Sequence, residues 1–201
     1  MSITNGYTTL DEYKDRFDIA DHDDDSDIES VITAVSRSID TICWQRFFTT
    51  SADETRYFTA DFATYFRLPE RIVSINTLKT DNDNDRTYEN TWTATDYDLE
   101  PFNAALDSEP YHTIRVTPNG NYSFPKGIAK GIEIDGKFGW SSIPQPIVEA
   151  CLLGSHLLQS RRNSPYGVSG AAAVGHLTGV IQSIKNDPII MDLLSGYILG
   201  F

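Results

Sequence analysis

The sequence predicts an α+β protein: a helical bundle built from the two ends of the chain, carrying an inserted antiparallel β region. Three observations predict it. Near the N-terminus apolar residues recur every three or four positions, the spacing of a helix face. In the middle third Thr, Tyr, Phe, Val and Ile dominate, nearly alternating with polar residues, and Gly and Pro punctuate them. From Pro144 the helical period returns. The expected organisation is N-terminal helices over 1–53, a β-rich insertion over 54–139, and C-terminal helices, a Gly-rich loop and a tail over 140–201. At 201 residues, a chain of this size buries about 70 % of its unfolded surface, enough for a core without staples.

Each element follows from local chemistry. Thr9 with Glu12 forms a capping box that opens a short helix carrying Leu10, Tyr13 and Phe17 on one face and ending near Ile19. An acidic run, Ala20 to Asp27, leads to a second helix expected from about Ser26 to Trp44, with Ser26 and Glu29 as its capping box. Its stripe is Ile28, Val31, Ile32, Val35, Ile39, Ile42 and Cys43. Strand character appears over 54–70 and again over 71–81, then at Tyr97–Leu99, Tyr111–Thr117 and Gly131–Phe138. The run Asp81–Asp85 (DNDND) reads as a turn-like tip between strands. Pro146 suits the first turn of a third helix, whose stripe of Ile147, Val148, Cys151, Leu152, Leu157 and Leu158 ends at Arg161 and Arg162. Residues 163–179 are rich in Gly, Ser and Ala and read as a mobile loop. Asp187 and Pro188 are an N-cap and first-turn pair for a last short helix, closed by Gly196.

Charge narrows the function classes. Lys and Arg total 16 against 29 Asp and Glu, a net charge of −13. Neutralising phosphates takes clustered cations, so nucleic-acid binding and docking to anionic membranes are disfavoured. A surface that DNA passes without sticking remains compatible with this balance. Cys43 and Cys151 fall on apolar helix stripes and read as small buried residues, in keeping with a reducing compartment. The opening MSITNGYTTLDEYK has neither a basic start nor an apolar run, so no signal peptide is expected, and no apolar run of about 18 residues predicts a membrane span.

Chemical motifs are sparse. Both acidic runs space carboxylates two apart, as calcium loops do. Counting from Asp81, however, the sixth and twelfth positions are Arg86 and Trp92, and from Asp21 they are Ser26 and Ile32, so the Gly and Glu of a helix–loop–helix site are missing. These loops therefore read as solvated turns or as channel-lining acids, with Asp81, Asp83 and Asp85 the named candidates. His22, His112, His156 and His176 have no ligand spacing. There is no nucleophile elbow, phosphate loop or dinucleotide fingerprint. Paired carboxylates for hydrolysis are a spatial arrangement that a linear pattern does not reveal. The expectation is a protein without enzymatic chemistry, metal or cofactor.

The order of the pieces carries a resemblance. Thr9 to Phe48, with Leu10, Asp24, Asp25, Ile28, Ile32, Ile39, Asp40, Arg46 and Phe47 at matching places, resembles the opening of bacteriophage head–tail connector (adaptor) proteins. Gly131 to Arg162 is similar to the same family: a strand, then Gly136, Gly139 and Trp140, then Ile143-Pro144 opening a helix. Thr55–Phe58 and Asp96–Pro101 look like its longer members, which carry a β insertion. Gln45 departs from the pattern, standing where the family often has Gly. The resemblance implies a structural virion subunit assembled in the host bacterial cytoplasm. It would form a ring, commonly of twelve copies, beneath the portal protein. That ring would extend the DNA channel and receive a stopper or tail-completion protein, with DNA passing through without specific binding.

Two features keep alternatives open. The tail, with Tyr197, Ile198, Leu199 and Phe201, either folds back on the chain's own core or serves as an arm docking on the portal. Arg161 and Arg162 are either helix C-terminal cations or partners for a neighbouring subunit's aspartates. The competing function is a monomeric β-rich module binding a protein or carbohydrate through Trp92, Tyr88 and Tyr97.

Overall fold

The computed structural model describes residues 3–163 and 184–199. The chain divides into two compact units, Met1–Phe47 with Ile143–Phe201, and Phe48–Ser142. Among the described residues there are four helices and a six-stranded antiparallel sheet, so the fold is α+β and rich in β structure.

The first unit holds the helices: α1 (Leu10–Phe17), α2 (Asp25–Cys43), α3 (Gln145–Asn163) and α4 (Pro188–Ser195). The apolar stripe of α2 is its buried face, with Ile28, Ile32, Val35, Ile39, Ile42 and Cys43 all buried. α2 packs on α3 and on α1, and α3 packs on α4. Gly154 permits the close approach of α2 and α3, because a Cβ there would sit 2.9 Å from Val35 Cγ1. Cys43 and Cys151 are free and buried; burial, with Asp40 nearby, pushes the Cys43 thiol up to about 12, leaving it a protonated apolar filler.

The N-terminal segment is pinned across α2 through Tyr7. Its N–H donates to Ser36 Oγ at 3.0 Å, and its hydroxyl donates to Asp40 while accepting the Phe47 N–H at 3.0 Å. The Arg37 guanidinium lies 5.6 Å from the Tyr7 ring and pairs with Asp40 at 3.2 Å. Three residues that carry the family resemblance therefore have local duties. Asp40 receives Tyr7, Arg46 adds positive charge near Asp40, and Phe47 is fully buried.

The capping box of α1 forms as expected, Glu12 and Thr9 each accepting the other's N–H. That of α2 does not. Its N-cap is Asp24, two residues earlier, and Ser26 lies inside the helix, its carbonyl accepting Ser30 Oγ. The acidic first turn, with Asp25 and Asp27, suits the positive end of the helix dipole and extends the helix past the Ser.

The second unit is the sheet, ordered β1 (Glu54–Phe58), β6 (Ile132–Phe138), β2 (Tyr65–Thr80), β5 (Tyr111–Val116), β4 (Tyr97–Glu100), with β3 (Asn90–Trp92) also on β2. β2 is the spine. Its first half pairs with β5 and its second half with β6, while β3 joins at Leu78–Thr80. The sequence pattern divided this stretch at residues 70 and 71; the strand runs straight through. Pro69 is accommodated because the register with β5 shifts between Arg67 and Ile72, where its missing N–H costs no ladder bond. The core is Phe66, Leu68, Ile72, Leu78, Trp92, Ile114, Phe124, Ile132, Ile134 and Phe138. Gly139, at φ +109, leaves the sheet where any Cβ would fall 1.9 Å from the Phe48 carbonyl oxygen.

Candidate functional site

The acidic tip after β2 is built around Asp81. This residue is fully buried, and its N–H donates to Gly131 O at 2.9 Å. One carboxylate oxygen accepts the N–H groups of Asp83 at 3.2 Å and Asn84 at 2.7 Å; the other accepts the Arg86 N–H at 2.9 Å. Burial pushes the carboxyl up, but these N–H donors outweigh it and hold the group below the usual carboxylate range. Asn84 and Arg86 take positive φ, 67° and 74°, to present their amides. Asp83 and Asp85 are exposed and repeat the motif, Asp83 accepting from Asp85 N–H and Asp85 from Thr87 N–H.

The tip gathers more charge than the linear pattern suggested. Carboxylate oxygens of Asp81, Asp83, Asp85 and Glu89 lie within 4.8 Å of one another. The helix–loop–helix template missed Glu89 because it tests the twelfth position, whereas here a backbone turn folds the ninth residue back. Both oxygens of Asp81 already serve backbone N–H groups, which leaves Asp83, Asp85 and Glu89 as the exposed carboxylates of the group. Of the three named channel candidates, Asp83 and Asp85 face solvent and Asp81 organises the turn beneath them.

The second acidic run, Asp21–Asp27, is solved differently. Lys14 is mostly buried and reaches it with three contacts: the Asp21 carbonyl, Asp25 Oδ1 at 2.7 Å and His22 Nδ1 at 3.1 Å. The Lys14 and His22 hydrogen bonds hold the Asp25 carboxyl below its ordinary range.

The tail begins after α4. The Tyr197 ring meets Phe47 edge-on at 5.7 Å, and its carbonyl accepts Gln45 Nε2 at 2.5 Å. The Leu199 N–H donates to Cys43 O at 3.1 Å, satisfying a carbonyl at the end of α2. Ile198, between those two tethers, is 38 % exposed. Residues 197–199 therefore lie against the end of α2, and Phe201 lies outside the described residues. Gln45, the departure from the family pattern, is one of the two tethers; Trp44 closes α2 at φ 57°. Arg161 and Arg162 occupy the last turn of α3, and their side chains lie outside the described residues, as does most of the Gly-rich stretch.

The aromatic residues of the competing reading do not form a surface platform. Trp92 is 5 % exposed, stacks on Phe124 at 4.7 Å and donates Nε1–H to Thr80 Oγ1. Tyr97 packs against that core, and Tyr88 pairs with Tyr57 while donating to Lys130 O. A buried carboxylate that the sequence did not single out, Asp96, accepts four donors from Thr93 and Asn121 and is drawn down to about 2. No described helix is long and apolar enough to cross a membrane.

No protein-family model matches this chain, and no curated protein does. Solved structures do. A chain of the neck of an empty gene transfer agent (GTA) particle, computed with C6 symmetry, superposes at TM-score 0.56 and 14 % identity, covering 100 % of this chain and 94 % of that one. A chain of the virion of a native GTA particle gives 0.54 and 16 %, with 100 % and 94 % covered. A chain of the native GTA neck computed with C12 symmetry gives 0.50 and 16 %, with 91 % of each covered. At these identities the likeness is one of fold, and it extends over both units.

Proposed function

We propose that this chain is a structural subunit of the neck of a tailed phage or phage-like particle, a head–tail connector that forms a ring beneath the portal protein. The observation that carries this reading is the fold likeness to one GTA neck chain over the whole length and to another over 91 % of it, in necks computed with sixfold and twelvefold symmetry. A net charge of −13 supports it, since an acidic wall repels a DNA backbone and lets a genome pass. In this reading the helices act as the bundle that docks on the portal, and the exposed Asp83 and Asp85 line or border the channel. Ile198, with Tyr197, Leu199 and Phe201, contributes to the portal contact, and Arg161 and Arg162 reach a neighbouring subunit. The ring, of about twelve copies, receives a stopper or tail-completion protein on its far side, and no catalysis is required. Subunits of such a ring use heterologous contacts that close by rotation.

Native mass spectrometry of the chain, alone and mixed with the portal of the same particle, tests this. The expected result is a portal complex carrying about a dozen copies. A chain that neither oligomerises nor binds the portal would overturn the reading.

A further inference from the structure

The buried face of α3 carries two polar side chains whose oxygen atoms the folded chain does not satisfy. Ser155 is 0 % and Gln159 8 % exposed. Among the described residues, neither Ser155 Oγ nor Gln159 Oε1 meets a hydrogen-bond partner. Polar side chains elsewhere in the interior do. Ser36 Oγ donates to Ile32 O, Ser38 Oγ donates to Ala34 O, and Thr80 Oγ1 accepts the Trp92 Nε1–H. Orphaned atoms at such depth are rare because each one costs the folding equilibrium about tenfold.

Ser155 and Gln159 are four residues apart on one helix, the spacing that makes side chains neighbours on a face. They extend a polar line. Cys151, four residues before Ser155, faces Ser36 Oγ on α2 at 3.4 Å. The same thiol lies beside Ser155, but sulfur is a weak partner and leaves the hydroxyl's capacity largely unused. The Gln159 amide oxygen only accepts, whereas the Ser155 hydroxyl donates one hydrogen and accepts on its lone pairs. One molecule that accepts from the first and donates to the second satisfies both. Ser36, Cys151, Ser155 and Gln159 bring no formal charge, since burial pushes the Cys151 thiol up and keeps it protonated. An ion would lose its hydration there without a counter-charge, so the ligand that fits is small and neutral.

We infer that Ser155 and Gln159 hold one internal water, which accepts the Ser155 O–H and donates to Gln159 Oε1. The water completes a buried polar seam that starts at Ser36 on α2 and runs along α3 through Cys151. The site lies within the helical unit and is independent of the ring reading.

Two measurements on the full chain test it. In chemical denaturation, Ser155→Ala and Gln159→Met each break the bridge and leave the other oxygen buried, so each should lower the folding equilibrium constant about tenfold. The double variant removes both polar ends and should lose clearly less than the product of the two single losses. Single variants more stable than the parent would show that the oxygens are orphaned and would overturn the water. A high-resolution crystal structure of the parent chain needs no substitution, so it decides even where a variant fails to fold. The expected result is a density peak about 2.8 Å from both oxygens. A direct Ser155–Gln159 bond, or a group of the chain itself in that place, would overturn the inference.

Discussion

The two aspartate-rich loops have nearly the same composition and opposite solutions to it. Around residues 21–27 a single buried cation, Lys14, gathers a carbonyl, a carboxylate and a histidine. Around 81–89 one buried aspartate collects three backbone N–H groups and the remaining acids stand outside it, while the loop's own Arg86 guanidinium donates to the Ala129 carbonyl. The difference teaches that charge count does not fix the electrostatics of a loop. The first depends on a charge pair and is open to screening; the second depends on fixed amide dipoles and is not.

The largest effect is expected at Asp81. Replacing it with Ala strips three amides of their acceptor in a buried position, so hydrogen exchange at Asn84 and Arg86 should rise to that of an open loop and the melting temperature should fall clearly. Asp81→Asn, which keeps one acceptor oxygen, should fall between. Retained protection in the Ala variant would sink the account of the tip.

Lys14→Ala comes next, with a loss of about 1.5–3 kcal/mol for a hydrogen bond to a charged group, read by chemical denaturation. Here salt sharpens the comparison. About 1 M salt should shrink the difference between Lys14→Ala and the parent and leave the Asp81→Ala difference nearly unchanged.

Acid tests both loops together. The folded-state carboxyls of Asp25 and Asp81 lie below their ordinary range, and Asp96 lies at about 2. Groups depressed in this way contribute stability above the unfolded value, near 4, and lose it as pH falls through the folded value. Stability should therefore drop between about pH 4 and pH 2, and Asp96→Asn should flatten part of that drop. The smallest effect is expected at Asp83→Asn or Asp85→Asn. Relief of like-charge crowding around the tip should raise the melting temperature slightly. A fall would show that these acids, too, hold the loop.

Much of the fold was legible because its signals are local. Thr9 with Glu12, and Asp187 with Pro188, mark helix starts by chemistry contained within four residues. The observed Asp187 carboxylate accepting from Ile189 and Ile190 is what such a cap does. The strand at Tyr111–Val116, set off by Pro110 and Pro118, and that at Ile132–Phe138, whose burial alternates, were bounded within a residue or two. Illegible features depend on partners distant in sequence. β3 is three residues long and exists because Leu78–Thr80 offers it an edge. The stretch read as two strand segments meeting at residues 70 and 71 is one strand, its register with β5 shifting between Arg67 and Ile72. The Ser26 box lost to Asp24 because the acidic turn before it is helical too. At the candidate sites, the aspartates of the tip could be named, but the division between one buried organiser and exposed neighbours is set by backbone N–H groups that a sequence does not display. Trp92 looked like a binding aromatic because composition cannot distinguish a platform from a core; its stacking on Phe124, 32 positions away, places it in the core.

The central claim is that this chain forms a ring stacked on a portal. Electron cryomicroscopy of the purified chain mixed with the portal of the same particle tests it most directly. The account predicts side views with a second ring coaxial with the portal and a continuous open lumen through both. Bare portals beside unassociated monomers, at concentrations where the chain is folded, would contradict it.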